Sequence, residues 1–337
     1  MNNIKVGFIL KKIGQMIIVM IVLSMFVFGI ARLCPGDPLQ AYYGDSLEHM
    51  NSEQRYIAKE KLGLNESIPV QYIKWVNKAI HGDWGISYKY KQPVTTVIGA
   101  FWKNTLVLGG LTYLILFWLA MLLGRWCALH EGKRADRVIC RVGVISASIP
   151  AFFMAIILIL VFSINIPIFP VSGSYSYGGG GILDRIFHLI LPVTVLVLEH
   201  LWYYTYMIRN KLIEETRQEY VLLCKAKGIP RKIIMKKQCM RNIMPSMLTI
   251  MAIAVPHILG GTYVVEMVFS YPGLGVLSFE AAKYQDYNML MALCLITGVV
   301  VLVFNIAAQI INEFIDPRMS YERMDLSSED TLTEVEA

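Results

Sequence analysis

Apolar residues gather into six long runs, 13–31, 104–124, 142–164, 186–208, 243–265 and 289–312, with polar residues concentrated between them. Within each run the apolar positions are nearly continuous, the pattern of a helix that meets water on no side. At about 1.5 Å per residue each run reaches across a hydrocarbon layer of about 30 Å. The pattern predicts an all-α, polytopic membrane protein with six transmembrane helices. Lys5, Lys11 and Lys12 precede the first run as in a signal peptide. That run is too long for one and lacks a small-x-small exit, so it reads as a retained span.

The connections divide the chain further. Residues 1–32 form the N-terminal segment and first span, and 33–103 an external loop with helix signals of its own. Asn51 and Gln54 read as a capping box, Gly63 as a stop, and Pro69 as a first-turn residue of a helix carrying Tyr72, Trp75, Val76 and Ala79 on one face until His81-Gly82. Residues 104–318 hold the five-helix core, including the connection 209–245, and the acidic tail 319–337 has no apolar periodicity and reads as disordered. Asp316-Pro317 ends the last span, because proline disfavours helix in the residue before it. Gly178 to Gly181 form a turn with no Lys-Ser or Lys-Thr after them, which argues against a phosphate loop.

Composition agrees, at 55% hydrophobic and 17% charged residues. A net charge of +6 would admit nucleic acid, but its placement argues for a membrane instead. Arg125, Lys133, Arg134, Arg137 and Arg141 crowd one short connection. Ten basic residues against Glu214, Glu215 and Glu219 occupy 209–241, whereas 165–185 holds only Arg185 and 268–288 only Lys283. The bias places the basic loops and both termini in the cytoplasm. The six cysteines, Cys34, Cys127, Cys140, Cys224, Cys239 and Cys294, form no C-x-x-C pair and read as small buried hydrophobes.

No G-x-x-x-x-G-K-[ST] pattern occurs, so energy for transport must come from a partner or a gradient. The longest basic connection contains a short helix signal, Glu219 to Lys227, closed by Gly228. Tyr220, Leu223, Cys224 and Lys227 recur at i, i+3, i+4 and i+7, and Gly228 supplies the left-handed residue a helix end favours. A helix of this kind docks in a groove of another protein.

Cys224-Lys225-Ala226-Lys227-Gly228, with Met240-Arg241-Asn242-Ile243-Met244-Pro245 beyond it, resembles the ATPase-docking loop of the permease subunits of bacterial ABC importers for peptides and nickel. Gly260-Gly261 and Val265-Glu266-Met267-Val268-Phe269-Ser270-Tyr271-Pro272-Gly273-Leu274-Gly275 are similar to that family's signature. Arg32-Leu33-Cys34-Pro35-Gly36-Asp37-Pro38 is similar to its opening motif and Asp316-Pro317-Arg318 to its closing one. The four motifs stand in family order along nearly the whole chain. Two departures are visible: Leu222-Leu223-Cys224 replaces the general Glu-Ala-Ala, and Pro245 lies further from Gly228 than in the general pattern, a spacing shared by the peptide and nickel branch.

The resemblance implies a type I importer permease fold in the bacterial cytoplasmic (inner) membrane. It implies a second permease subunit, two cytoplasmic ATPase subunits, an external solute-binding protein and no nucleic acid. The chain itself would be no enzyme and bind no cofactor, ATP being used by the partner subunits. Closure of the ATPase pair would push the docked helix and flip a bistable bundle between inward-open and outward-open. The docking residues implied are Glu219, Tyr220, Leu223, Cys224, Ala226, Lys227, Gly228, Arg241, Asn242 and Pro245.

For the pathway and gate the candidates are Glu199, His200, Gly260, Gly261, Glu266, Tyr271, Pro272, Gly273, Leu274 and Gly275. Glu199 and His200 interrupt an apolar run, where ionisable groups face the bundle interior or the pathway; a bond to a neighbouring helix or partner permease is the competing reading. Glu266 reads equally as a loop anchor or a cargo contact. Eighteen methionines at helical spacing are packing residues, and no His-x-x-x-His or external methionine cluster marks a metal site. The expected cargo is a di- or oligopeptide, with nickel or a metal chelate as the alternative. A gradient-driven secondary transporter would show inverted repeats and a membrane enzyme a polar catalytic cluster, and the sequence shows neither.

Overall fold

The computed structural model describes residues 2–33, 38–61 and 63–315. Cys34 to Asp37 of the opening motif, the closing motif Asp316-Pro317-Arg318 and the acidic tail 319–337 lie outside the described residues. The described chain is helical: α1 Asn2–Leu33, α2 Pro38–Tyr43, α3 Ser52–Lys61, α4 Ile68–Ile80, α5 Val94–Leu129, α6 Arg134–Ala147, α7 Ala151–Ile159, α8 Ile182–Glu215, α9 Glu219–Ala226, α10 Arg231–Ile234, α11 Met240–Asn242, α12 Met244–Val268, α13 Leu274–Lys283 and α14 Tyr287–Ile315. Wider π-type turns at Leu160–Asn165 and Met235–Cys239 extend α7 and join α10 to α11.

Among the described residues four segments, Leu10–Leu33, Val94–Leu129, Met244–Val268 and Tyr287–Asn312, are long and apolar enough to cross a membrane, and Arg134–Ser146 with Ala151–Asn165, bent by 96° between them, makes a fifth if the pair is one span. The fourth predicted span lies inside α8, a continuous helix of 34 residues. It is long enough to cross but carries Arg185, His188, Glu199 and His200 among its apolar residues. Side chains such as Ile18, Val22 and Phe26 on α1, and Leu106, Leu114 and Trp118 on α5, are exposed. Exposed apolar faces of that extent mark contact surfaces for a membrane or for another protein.

The contacts among the described residues fall into two compact units, one drawn from 2–111, 151–193 and 260–300 and the other from 112–150, 194–259 and 301–315. In the first, Asn51 and Gln54 cap α3 reciprocally, backbone amide to side-chain oxygen, at 3.0 and 2.8 Å. Gly63 and Gly82 take φ of +68° and +86° after α3 and α4. Tyr72 and Trp75 of α4 pack on Phe28 of α1, with Tyr88 and Tyr287 in the same cluster. Helix α5 begins at Val94, inside the loop expected over 33–103. Val94 and Val97 of its first turn are buried against Leu277, Ala281, Met289 and Leu293, a tertiary burial that no local periodicity reveals. Asp286 ties this region together, accepting from the Ser87 hydroxyl at 2.5 Å and from the Lys89 and Met289 amides at 3.2 Å.

In the second unit, Gly124 and Gly143 admit α8 closely: a Cβ on Gly124 would lie 2.8 Å from Ile208, and one on Gly143 3.1 Å from Trp202. Asp136 of α6 receives Arg209 of α8 in a two-pronged bond, both prongs 2.6 Å. The five cysteines among the described residues are unbridged.

Candidate functional site

The predicted docking loop belongs to the second unit. Helix α9 starts from Gln218 in an extended conformation and places Glu219 in its first turn, where the helix dipole favours an anion. It ends where the Gly228 amide donates to the Lys225 carbonyl (2.9 Å) and the Ile229 amide to that of Cys224 (3.1 Å). Gly228 has φ +73° with open space where a Cβ would be, so backbone conformation rather than crowding demands glycine there.

The sequence stripe does not form one outward face. Val221 is buried and Tyr220 and Cys224 are half-buried, leaving Leu222 and Leu223 exposed. Tyr220 turns inward because its hydroxyl has a partner, the Glu215 carboxylate at 2.7 Å. Burial, and then that carboxylate, push its phenol well above the usual range. Asn242 donates to the same Glu215 oxygen (3.1 Å), so one carboxylate ties both ends of the loop to the end of α8. Arg231 donates to the carbonyl of Ala128 at the C-terminal end of α5 (3.0 Å), and Pro245 occupies the first turn of α12. Ala226, Arg241, Lys225, Lys227, Lys232, Lys236 and Lys237 are all exposed. The loop thus offers two leucines among cations, with no acidic residue nearer in sequence than Glu219.

The signature loop belongs to the first unit. Glu266, near the end of α12, is fully buried. Its Oε1 accepts from the Thr105 hydroxyl (2.7 Å), and Oε2 from the amides of Gly275 (2.7 Å) and Val276 (3.3 Å). Thr105 Oγ1 in turn accepts from the Leu274 amide at 2.7 Å. The first three amides of α13 are thereby satisfied, a capping task that Gly273, at the N-cap, has no side chain to perform. Glycine is required for space: a Cβ on Gly273 would lie 2.2 Å from the Glu266 carboxyl, and one on Gly275 2.6 Å from Tyr263 Cα.

Asn104 donates to the Pro272 carbonyl (2.8 Å) and accepts from Arg185 (2.9 Å), while Tyr271 is buried. Ser270 holds φ +47° at the turn out of α12. Glu266 is thus brought together with Gly273, Leu274 and Gly275. Gly260 and Gly261 stand further back on α12, and a Cβ on Gly260 would meet nothing within 4 Å. Thr105, Asn104 and Arg185 are absent from the sequence-derived set, since their partners lie on distant segments.

Glu199 and His200 lie on α8 in the second unit. His200 Nδ1 stands 3.0 Å from the Leu196 carbonyl and 3.7 Å from Glu199 Oε2, and its ring stacks on Tyr204. The Tyr204 hydroxyl lies 3.1 Å from His257 Nδ1 on α12. Tyr204 and His257 are likewise absent from the sequence-derived set. The test applied to Glu199, an ionisable group inside an apolar run, also selects His257. Among the described residues no group of three or more His, Cys, Asp or Glu is arranged to hold a metal ion.

Comparison with known proteins converges on one family. Residues 120–321 match the family described as "Binding-protein-dependent transport system inner membrane component", and residues 5–109 match its N-terminal companion. The oligopeptide transport system permease protein AppB of Bacillus subtilis is 32% identical over 317 residues, covering 94% of this chain and 99% of that protein. The metal-staphylopine import system permease protein CntB of Staphylococcus aureus is 31% identical over 313 residues, covering 93% and 97%. A chain of the inward-facing MetNI methionine ABC transporter shares the fold at 14% identity, with a TM-score of 0.53 over 66% of this chain and 97% of that one. The chain belongs to the family of binding-protein-dependent transport system inner membrane components, the membrane permease subunits of ABC importers.

Proposed function

We propose that this permease imports di- or oligopeptides across the bacterial inner membrane, with six spans, cytoplasmic termini and its motor docked at α9. Its partners in this reading are a second permease, two ATPase subunits and an external binding protein. The observation that carries the docking role is α9 itself: a helix closed by a left-handed glycine, tethered through Glu215, with Leu222 and Leu223 exposed among lysines. An apolar groove with an acidic rim on the ATPase complements it. Glu219, Ala226, Lys227, Arg241 and Pro245 frame that contact, while Tyr220, Cys224 and Asn242 support the helix from behind.

The six-span topology is supported by the basic residues of 125–141 and 209–241 set against the basic-poor connections 165–185 and 268–288. In the pathway, Glu266 serves as the anchor of the Tyr271–Gly275 loop, leaving the backbone of that loop, with Gly260 and Gly261 behind it, to form the gate. Glu199 and His200 line the route. Peptide cargo follows from the oligopeptide relative; the metal-staphylopine relative supports the alternative, a chelated metal.

Co-purification tests the docking. Leu222→Asp combined with Leu223→Asp changes only exposed side chains and is expected to release the ATPase while the second permease stays bound. Gly228→Pro, incompatible with φ +73°, should do the same by distorting the helix end. Retention of the ATPase with full ATP-driven uptake in both variants would refute docking at α9.

A further inference from the structure

Glu199 is a carboxylate whose one ionisable neighbour within ion-pair distance among the described residues is the His200 ring, at 3.7 Å. Its Oε2 is buried and accepts no hydrogen bond. The ring nitrogen of His200 that comes within 3.7 Å also lies 3.0 Å from the Leu196 carbonyl, and donating its proton there leaves none for Glu199. Among the described residues no lysine or arginine forms an ion pair with it. A carboxylate inside an apolar span is costly until a cation reaches it.

The helix face indicates where that cation travels. Glu199, Tyr203, Tyr206 and Asn210 recur at i, i+4, i+7 and i+11 of α8 and so share a face. Tyr203 and Tyr206 are 52% and 54% exposed, and Asn210 is exposed. A carboxylate, two phenols and an amide do not face lipid tails. The two tyrosines, with Trp202 and Thr205, also wall a cavity of about 290 Å³. Trp202 Nε1 and Thr205 Oγ1 there are buried without a partner, two further polar groups that the isolated chain leaves unused.

We propose that this face is the wall along which cargo passes, and that Glu199 receives the protonated amino terminus of a peptide, with the tyrosine rings beside it. This rests on the peptide-importer reading and narrows it. A cation gains from the carboxylate and from the faces of tyrosine rings, whereas an anionic metal chelate would meet a like charge in a low dielectric.

The test uses the complete importer in proteoliposomes, with its binding protein and trialanine as cargo. Uptake is expected to stay within about threefold in E199D, fall tenfold or more in E199Q and further in E199K, with both permeases and the ATPases still co-purifying. Undiminished uptake by E199Q would overturn the proposal. So would a loss of uptake accompanied by loss of the second permease, which would make Glu199 a subunit contact. If the unaltered importer takes up no peptide, the peptide reading itself falls, and this inference with it.

Discussion

Glu266 and Glu199 are both carboxylates in long apolar helices, yet their surroundings are opposite. Glu266 is enclosed by donors: the Thr105 hydroxyl and two amides of α13 leave neither oxygen idle. Glu199 has a buried oxygen with no donor at all and a neighbouring face of exposed phenols. A satisfied buried charge is structural, because moving it would orphan every group that points at it. An unsatisfied one makes sense only if something else arrives. Burial alone does not separate an anchor from a binding group; the count of donors around the oxygens does.

The comparison breaks first at Glu266. Glu266→Ala removes the acceptor for one buried hydroxyl and two part-buried amides, and should destabilise the protein by about 3 kcal/mol or more. Glu199→Gln, which orphans nothing, should stay within about 0.5 kcal/mol while uptake collapses. Thermal unfolding of the solubilised complex, measured beside trialanine uptake, checks both, and equal destabilisation by the two changes would erase the distinction. Next comes Gly273→Ala, whose methyl would press on the Glu266 carboxyl; overpacking of this kind costs about 1–3 kcal/mol. Gly260→Ala, with open space around it in the chain alone, is the control. Its melting temperature should hold or rise, because alanine is the better helix former by about 1 kcal/mol.

Sequence reasoning reached features whose causes are local. The Asn51–Gln54 cap, the stop at Gly63, Pro69 in the first turn of α4 and the left-handed Gly228 each depend on residues within a few positions. Four of the six apolar runs were equally readable, as the long apolar helices α1, α5, α12 and α14, since lipid demands continuity rather than a stripe. What stayed hidden depends on distant partners. Thr105 meets Glu266 from 161 positions away, and Ser87 meets Asp286 from 199. The inward turn of Tyr220 follows from the partner offered by Glu215, which a helical-wheel count over 220–227 ignores. The early start of α5 follows from burial of Val94 and Val97 against α13 and α14. Exposure of Leu222 and Leu223, where the general family pattern has Glu-Ala, is a packing result. Of the residues that spacing picked out, Leu223 and Lys227 are exposed and Tyr220 and Cys224 half-buried, while the equally exposed Leu222 stood outside the stripe.

The smallest expected effect extends the donor count to a carboxylate outside the spans. Burial alone would raise the carboxyl of Glu280, but hydrogen bonds from Lys89 and Tyr90, with the charge of Lys89 added, outweigh it and hold the group below its ordinary value of 4.5. Lys89 Nζ lies 2.6 Å from Oε1, and the Tyr90 hydroxyl bonds Oε2. A carboxyl depressed in the folded state binds fewer protons there than in the unfolded chain near its folded pKa. Its contribution is therefore complete above about pH 4.5 and drains away as pH falls through the depressed value. Unfolding midpoints of the native protein and Glu280→Gln should differ most at neutral pH and converge in acid. A constant gap down to acid pH would mean that the Lys89–Tyr90–Glu280 cluster contributes packing rather than charge, and that counting donors overstates what a partly exposed carboxylate does.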